Sequence, residues 1–201
     1  MLETTKLVVG HSSPVAGPFD LSFPDGHCVM LCGPNGSGKS TLMKTLAGLI
    51  PPVSGSFRSN GEVLLVPARI PRVKGFTVSE FVQTSLFRRA LWDDHASSKD
   101  TEAVANAVRL LGLGHLAGKD LCEISDGEFQ KACIATALTR NASVIMLDEP
   151  TAFLDVDNRK MVLSTLHDIA RTTGTTVIFS THDIYDGERN SDSVLDLGKL
   201  R

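Results

Sequence analysis

The residues with the most specific chemistry lie in one glycine-rich stretch, residues 33–41, with the sequence Gly-Pro-Asn-Gly-Ser-Gly-Lys-Ser-Thr. Its glycines allow positive φ angles, so that successive backbone N–H groups can surround an anion closely. Lys39 would add a full positive charge facing the β- and γ-phosphates of a polyphosphate, and the Ser40 hydroxyl would ligate Mg²⁺. We therefore predict a polyphosphate site. Its predicted binding residues are Gly33, Pro34, Asn35, Gly36, Ser37, Gly38, Lys39, Ser40 and Thr41.

The sequence on either side of this stretch favours a strand before it and a helix after it. Residues 27–32 are short and apolar enough for a buried strand, and Leu42, Leu46 and Leu49 follow at helical spacing. A helix N-terminus behind the glycines presents unpaired N–H donors and a partial positive charge. Because strand, loop and helix follow in this order, a phosphate loop is a better interpretation than a glycine-rich surface turn.

Three further polar residues follow apolar strands later in the chain. Asp148 and Glu149 directly follow one apolar run, and His182 follows the next one. Mg²⁺ prefers one or two carboxylates with phosphate oxygens, so Asp148 is a predicted metal ligand beside Ser40. Glu149 could order and polarise a water in line with the γ-phosphate, and His182 could hydrogen-bond the same phosphate and water. Strands this apolar indicate a parallel sheet, and ligands bind at the carboxyl ends of such strands.

Size and composition indicate one ordinary globular domain. The 201 residues are 42% hydrophobic and 21% charged, and the formal net charge of −3 argues against nucleic acid as a partner. We expect no membrane span and no signal peptide, because no apolar run is long enough and the first residues lack the pattern. The four cysteines show no metal-ligand spacing, and we expect a reducing cytoplasmic compartment.

The remaining pattern predicts an α/β fold with a helical interruption. Other strands are predicted at residues 7–9, 19–23, 56–58, 62–66 and 193–197. Loops are predicted at residues 11–14 and 17–18. In the middle of the chain, helices are predicted from the capping box Thr77–Glu80, over about residues 99–111 and from near Gly127. Since strand–helix alternation then resumes, with a helix over about residues 157–171, an inserted helical subdomain is indicated.

A basic loop, residues 67–75, leads into this helical region. It carries Arg69, Arg72 and Lys74. Such a run is typical of a solvated loop, and it is also compatible with a segment that contacts a partner. The sequence leaves both interpretations open.

Together these motifs resemble those of one family, the nucleotide-binding ATPase subunits of ATP-binding-cassette (ABC) transporters. Residues 33–41 match the Walker A motif, and residues 144–149 match Walker B with its glutamate. Ile124-Ser125-Asp126-Gly127-Glu128, here called the signature segment, matches the family signature, usually Leu-Ser-Gly-Gly-Gln. Residues 152–155 match the D-loop, and His182 matches the switch histidine. The resemblance covers nearly the whole chain.

The resemblance implies a fold and a domain organisation. The fold would be that of a P-loop NTPase, with a RecA-like parallel sheet core, N-terminal antiparallel β strands and an inserted helical subdomain. In a single ABC-type ATPase domain, residues 1–201, the core and β strands would comprise residues 1–76 and 140–201. The helical subdomain would comprise about residues 77–139 and carry the signature segment.

It also implies a mechanism in which two chains form a head-to-tail homodimer around two ATP molecules with Mg²⁺. Lys39, Glu149 and His182 would be catalytic. Ser125 and Gly127 would contact the γ-phosphate of the ATP held by the other subunit. ATP would close the dimer, and hydrolysis would open it.

The same resemblance implies partners and a location. The subunit would lie on the cytoplasmic face of the cell membrane, bound to integral membrane permease subunits that work with an external substrate-binding protein. An aromatic side chain near the end of the first strand usually stacks on adenine in this family. His11 occupies that place, and Phe19 is the alternative.

Three residues depart from the family pattern. Ala68 stands where a glutamine usually contacts Mg²⁺ and the water and links the site to the membrane subunits. Asp126 replaces a glycine and Glu128 a glutamine, a version that resembles importers of iron chelates, haem and cobalamin. We therefore expect ATP hydrolysis that powers import of an iron chelate, either a siderophore or haem. The alternatives are the short ATPase of a haem exporter in cytochrome maturation and a non-transport ATPase acting in assembly.

Overall fold

The computed structural model describes residues 1–86, 98–140 and 142–200. The chain divides into two compact units. The first comprises Met1–Ala68, Ala142–Pro150 and Leu166–Arg201, and the second comprises Arg69–Asn141 and Thr151–Thr165. Each unit contains its own set of buried apolar side chains.

The described residues form strands and helices, each kind numbered in chain order. The strands are β1 (Leu2–Gly10), β2 (Pro14–Phe19), β3 (Ser22–Phe23), β4 (Cys28–Cys32), β5 (Ser54–Ser59), β6 (Val63–Val66), β7 (Val144–Leu147), β8 (Thr176–Ser180) and β9 (Ser193–Asp196). The helices are α1 (Lys39–Leu46), α2 (Val78–Gln83), α3 (Ser98–Leu110), α4 (Asp126–Leu138), α5 (Val156–Thr173) and α6 (Ile184–Arg189). Short 3₁₀ turns lie at Thr84–Leu86, Gly114–Leu116 and Leu121–Glu123.

An antiparallel sheet in the first unit is built around β1, which pairs with β2, β3 and β5. Because β1 has partners along its whole length, it extends well beyond the predicted residues 7–9. The loop predicted at Pro14 and at residues 17–18 was wrong, since both lie in β2. β2 is an edge strand, where a proline without an N–H donor is tolerated.

A second sheet has the strand order β6-β7-β8-β4-β9, and every pair in it is parallel. All residues of β4, β7 and β8 are buried, as the apolar runs predict. β8 lies between β7 and β4, so the carboxyl ends of these three strands are neighbours at one edge. The predicted parallel core with antiparallel N-terminal strands is therefore confirmed.

Helix α1 packs on the sheets through Leu42, Met43 and Leu46, which are buried in one apolar cluster with residues of both sheets such as Leu7 and Met146. This packing fixes the start of α1, and with it the loop that precedes the helix. The position of the loop is therefore set by apolar contacts rather than by the loop itself.

The second unit is mainly helical. α2 begins at a capping box in which Thr77 and Glu80 bind each other's backbone N–H groups, as predicted. The helices predicted over about residues 99–111 and from near Gly127 correspond to α3 and α4. The rings of Phe81 and Phe129 lie 5.7 Å apart between α2 and α4. Among the described residues, no helix combines the length and apolar character that a membrane span needs.

Candidate active site

The predicted phosphate loop and the later acidic and histidine residues meet at one edge of the parallel sheet. The loop follows β4, Asp148 and Glu149 follow β7, and His182 follows β8 soon after its end. Since β7, β8 and β4 are adjacent and parallel, their carboxyl ends bring these residues together. This is the edge at which ligands bind in such sheets.

Backbone geometry explains two of the loop glycines. Gly38 caps α1 with a φ of 97°, and a Cβ atom there would lie 3.0 Å from Ala16 Cβ. Gly33 has a φ of 138°, and a Cβ atom there would lie 2.9 Å from Ser37 Oγ. Both positions need a residue that tolerates left-handed backbone and occupies no side-chain space. The sequence pattern therefore has a direct steric cause.

Lys39 is held over its own loop. Its Nζ donates to the Gly33 carbonyl oxygen at 2.8 Å and to the Pro34 carbonyl oxygen at 3.3 Å, and only 8% of the residue is exposed. These are weaker partners than a phosphate, because neither carbonyl carries a full charge. Among the described residues, the ammonium is thus kept beside the loop without an ion pair that a polyphosphate would have to displace.

The loop and the start of α1 suit an anion. Within the described residues, no side chain caps α1 and its first turn holds no acidic group, so its first N–H groups and its dipole favour a negative ligand. The buried Ser37 Oγ has no hydrogen-bond partner among the described residues, which leaves a polar atom of the loop unsatisfied. Ser40 lies in the first turn of the helix, where its hydroxyl can serve a metal bound to phosphate.

Ser180, the last residue of β8, organises the acidic pair. Its buried hydroxyl donates to Asp148 Oδ1 at 2.8 Å and accepts from the Glu149 N–H at 2.8 Å. One side chain thereby orients the Asp148 carboxylate and the Glu149 backbone. No sequence motif points to this residue. The available signal was a single hydroxyl at the end of an otherwise apolar strand.

Glu149 adopts a conformation that places its carboxylate against His182. It has a φ of 52°, in the left-handed region that non-glycine residues rarely use and that is enriched at functional sites. Its Oε1 lies 3.1 Å from His182 Nε2, and 61% of the histidine side chain is exposed. Burial raises the pKa of Glu149, which His182 partly offsets and the nearby Asp148 reinforces. A carboxylate with a raised pKa is a suitable acceptor for a proton from water.

The donor set suits Mg²⁺ only in the presence of phosphate. The described residues contain no cluster of three or more acidic, histidine or cysteine side chains that could hold a metal alone. Mg²⁺ takes one or two carboxylates and completes its shell with phosphate oxygens and waters. Asp148 and Ser40 fit that limited role.

The two predicted partners for adenine differ in exposure. His11 is exposed directly after β1. Phe19 is only 2% exposed and belongs to the apolar core of the first unit. Because the Phe19 ring has no free face, His11 is the better placed of the two.

The signature segment forms the start of α4. The Ser125 hydroxyl accepts from the Glu128 N–H at 3.3 Å and donates to Glu128 Oε2 at 2.8 Å, and the Ser125 N–H donates to the same oxygen at 2.7 Å. These bonds, the one from the backbone first, lower the pKa of Glu128. A Cβ atom at Gly127 would lie 3.1 Å from the Phe153 carbonyl oxygen and 3.0 Å from Leu154 Cδ2, so the helix packs closely on the D-loop there.

Arg72 fits neither a solvated loop nor a segment that contacts a partner, because it contacts residues of its own chain. Arg69 and Lys74 are exposed, whereas Arg72 is engaged within the chain by residues 121–129. Its partners lie far along the sequence, so spacing in the loop could not have identified them.

Comparison with known proteins places this geometry in context. A family model described as ABC transporter matches residues 17–152. The ferric enterobactin transport ATP-binding protein FepC of Escherichia coli (strain K12) is 30% identical, covering 99% of this chain and 79% of its own. The high-affinity zinc uptake system ATP-binding protein ZnuC of Bacillus subtilis (strain 168) is 32% identical, covering 98% and 90% respectively.

A solved structure shows the same similarity. A metal-chelate type ABC transporter in an inward-facing conformation has a chain that superposes with a TM-score of 0.89 at 28% identity. The superposition covers 100% of the present chain and 80% of the other. Similarity in sequence and in fold therefore extends over the whole phosphate-loop edge and the signature segment.

Proposed function

The chain belongs to the ABC transporter family, and on that premise we propose that this ATP-binding subunit hydrolyses ATP with Mg²⁺ to power import of an iron chelate. One observation carries the hydrolytic assignment. The Glu149–His182 pair, 3.1 Å apart, follows β7 and β8, and β8 lies directly beside β4, the strand before the phosphate loop. A base for water and a cradle for phosphate are therefore side by side.

The chain's own side chains divide the work of phosphoryl transfer. Lys39 exchanges its two loop carbonyls for phosphate oxygens when a nucleotide enters. Glu149 accepts a hydrogen bond from the attacking water and orients it. His182 positions the Glu149 carboxylate relative to the γ-phosphate. Ser40 and Asp148 would hold Mg²⁺, which would supply charge neutralisation to the phosphates.

A second copy of the chain completes the site in this proposal. Ser125 and Gly127 present a helix N-terminus, which suits a phosphate physically. We assign them to the γ-phosphate of the ATP held by the other subunit in a head-to-tail homodimer. His11 is assigned to the adenine ring.

Coupling to transport involves permease subunits at the inner face of the cell membrane and an external substrate-binding protein. Ala68 directly follows the strand β6 and Pro67, where the family usually has its coupling glutamine. A methyl group neither binds Mg²⁺ nor hydrogen-bonds a water. We therefore propose that hydrolysis depends on Glu149 and His182, while coupling uses other contacts.

The choice of an iron chelate rests on two observations. The signature segment carries Asp126 and Glu128, the version that resembles iron-chelate importers. The relatives include a ferric enterobactin transport protein and a metal-chelate type transporter. Ala68 also favours a second candidate, a non-transport ATPase in assembly, because it removes the usual link to the membrane subunits.

Lys39→Ala tests the nucleotide assignment, with Lys44→Ala on the same helix as the matched control. We expect Lys39→Ala to lose ATP turnover and to bind a fluorescent ATP analogue at least about tenfold more weakly, since a charge-assisted contact is lost. Lys44→Ala should keep both. Equal turnover in the two variants would remove the phosphate-loop assignment.

Uptake and copurification separate import from assembly. The tagged chain should bring down a protein with several membrane spans, and cells lacking the chain should lose uptake of radioactive ferric siderophore. A tagged chain that copurifies only with proteins lacking membrane spans, together with unchanged uptake of ferric siderophore and haem, would favour the assembly function instead.

A further inference from the structure

Arg72 makes an unusually complete set of contacts for a loop residue. Its Nη1 donates to the carbonyl oxygens of Leu121 at 3.1 Å and Ile124 at 2.5 Å, and its Nη2 pairs with Asp126 Oδ1. The guanidinium carbon lies 5.0 Å from the centre of the Phe129 ring. Only 24% of the arginine side chain is exposed. Each of these four partners lies within residues 121–129, around Ser125.

Two of these contacts flank Ser125 directly. The Ile124 carbonyl belongs to the peptide group that ends at the Ser125 nitrogen, and Asp126 is the first residue of α4. The planar guanidinium binds the Ile124 carbonyl before Ser125 and the Asp126 carboxylate after it. It therefore restricts the rotation of the Ile124–Ser125 peptide group and the direction in which α4 starts. Arg72 therefore contacts the chain on both sides of Ser125, at the start of the helix that also carries Gly127.

The departure from the family pattern at Asp126 has a structural partner. Its side chain is 77% exposed and faces the Arg72 guanidinium. A glycine at this place would leave the guanidinium with the two carbonyls and the ring but no charge. Asp126 of the signature segment and Arg72 of the basic loop thus form an ion pair.

Other bonds hold the same region together without Arg72. The Asp120 carboxylate accepts from the Gly75 N–H and from the Cys122 N–H, both at 2.8 Å, and the Leu121 N–H donates to the Phe76 carbonyl oxygen at 2.9 Å. The residues after Arg72 are therefore tied to the residues before the signature segment by the Asp120 carboxylate and by a backbone hydrogen bond. Removal of the arginine side chain should make the orientation of the signature segment more variable while the unit stays folded.

We propose that Arg72 is a positioning residue for the signature segment, which sets the orientation of Ser125 and Gly127 toward the nucleotide of a second subunit. The inference rests on the proposed function, because it assumes that these two residues act across a dimer. It adds a residue outside the recognised motifs, and a physical reason for Asp126. Arg72 contacts the residues around Ser125, so we expect its loss to affect dimer formation rather than the chemical step.

The test measures ATP turnover of the full chain as a function of chain concentration. Arg72→Ala should raise the concentration needed for half-maximal turnover by about tenfold, as expected when hydrogen bonds from a charged group are lost. Arg69→Ala, an exposed arginine of the same loop, is the matched control and should leave the curve unchanged. Binding of a fluorescent ATP analogue to the single chain should be the same in all three proteins.

Two further variants keep the test decisive. Arg72→Lys keeps the charge but lacks the planar fork, so its half-maximal concentration should lie between those of the wild type and Arg72→Ala. It replaces Arg72→Ala in the test if that variant does not fold. Asp126→Asn keeps an oxygen that can accept from Arg72 but removes the charge of that contact, so it should shift the curve less than Arg72→Ala. Added to Arg72→Ala, it should cause no further shift.

The outcomes separate this inference from the proposed function. Matching curves for Arg72→Ala and Arg69→Ala, with a shifted curve for Ser125→Ala, would overturn the role of Arg72 and leave the two-subunit site standing. An unshifted Ser125→Ala would overturn both. Weaker nucleotide binding by the single Arg72→Ala chain would also overturn the inference, because the effect would then lie in the nucleotide site.

Discussion

Replacement of Ser180 by alanine should damage both the stability of the chain and its hydrolytic rate. The wild-type hydroxyl donates to Asp148 Oδ1 and accepts from the Glu149 N–H, each at 2.8 Å, and the residue is fully buried. Alanine removes both bonds and leaves a carboxylate oxygen and a backbone N–H without that partner. Nothing else in the strand changes, since the methyl group occupies the space of the original Cβ atom.

The magnitude follows from the two bonds. A hydrogen bond to a charged group contributes about 1.5–3 kcal/mol, and one between neutral groups contributes about 0.5–1.5 kcal/mol. Their loss should lower the free energy of unfolding by about 2–4 kcal/mol. The same change frees the Glu149 backbone from its anchor, and a small displacement of a positioning group can cost about a hundredfold in rate. We expect kcat to fall between about tenfold and a hundredfold while nucleotide affinity changes little.

Urea unfolding and steady-state ATP turnover measure the two effects. Thr172→Ala is the control, because that hydroxyl donates to the Asp168 carbonyl of its own helix at 2.8 Å on an exposed face. It should shift unfolding by less than about 0.5 kcal/mol, as is usual for surface substitutions. A Ser180→Ala chain with the stability and kcat of Thr172→Ala would refute the idea that Ser180 orients the acidic pair.

Two further predictions concern charge. Glu128→Gln removes a carboxylate beside the proposed γ-phosphate contact, so ATP-dependent association of two chains should tighten by about threefold to tenfold. Glu123→Gln, at a nearby exposed site, is the control and should leave the association unchanged. Sedimentation velocity measures both results. Burial raises the pKa of Glu149, and the base works only when deprotonated, so turnover should fall with acid at a higher pH than an exposed glutamate would give. Since His182 lowers that pKa, His182→Ala should move the acid limb of the pH–rate profile upward, and an unmoved limb would contradict the pairing.

Much of the phosphate-loop edge could be predicted because its determinants are local. The loop glycines, Lys39 and Ser40 lie next to one another in sequence, and the backbone angles they need follow from residue type. Asp148 and His182 could be placed at the same edge because fully apolar strands indicate a parallel sheet. The capping boxes at Thr77 and Ser125 are also local patterns, and both helices begin at them.

The features that sequence could not supply depend on pairing between distant residues. Ser180 reaches Asp148 only because β8 lies beside β7 in a particular register. Arg72 is separated from Asp126 by a long stretch of helical unit, and no periodicity links them. The edge position of β2 likewise depends on pairing with β1, and a proline-containing segment therefore looks like a loop when it is considered alone.

The mass of Glu149→Gln in solution, with and without ATP and Mg²⁺, tests whether ATP joins two chains and whether Glu149 activates the water. We expect a single-chain mass without nucleotide and a stable species of twice that mass with ATP, because binding is retained while the water is no longer activated. Addition of Lys39→Ala to this variant should abolish the larger species. A Glu149→Gln chain that binds ATP and stays monomeric at every chain concentration, or that still hydrolyses ATP at the wild-type rate, would contradict the account.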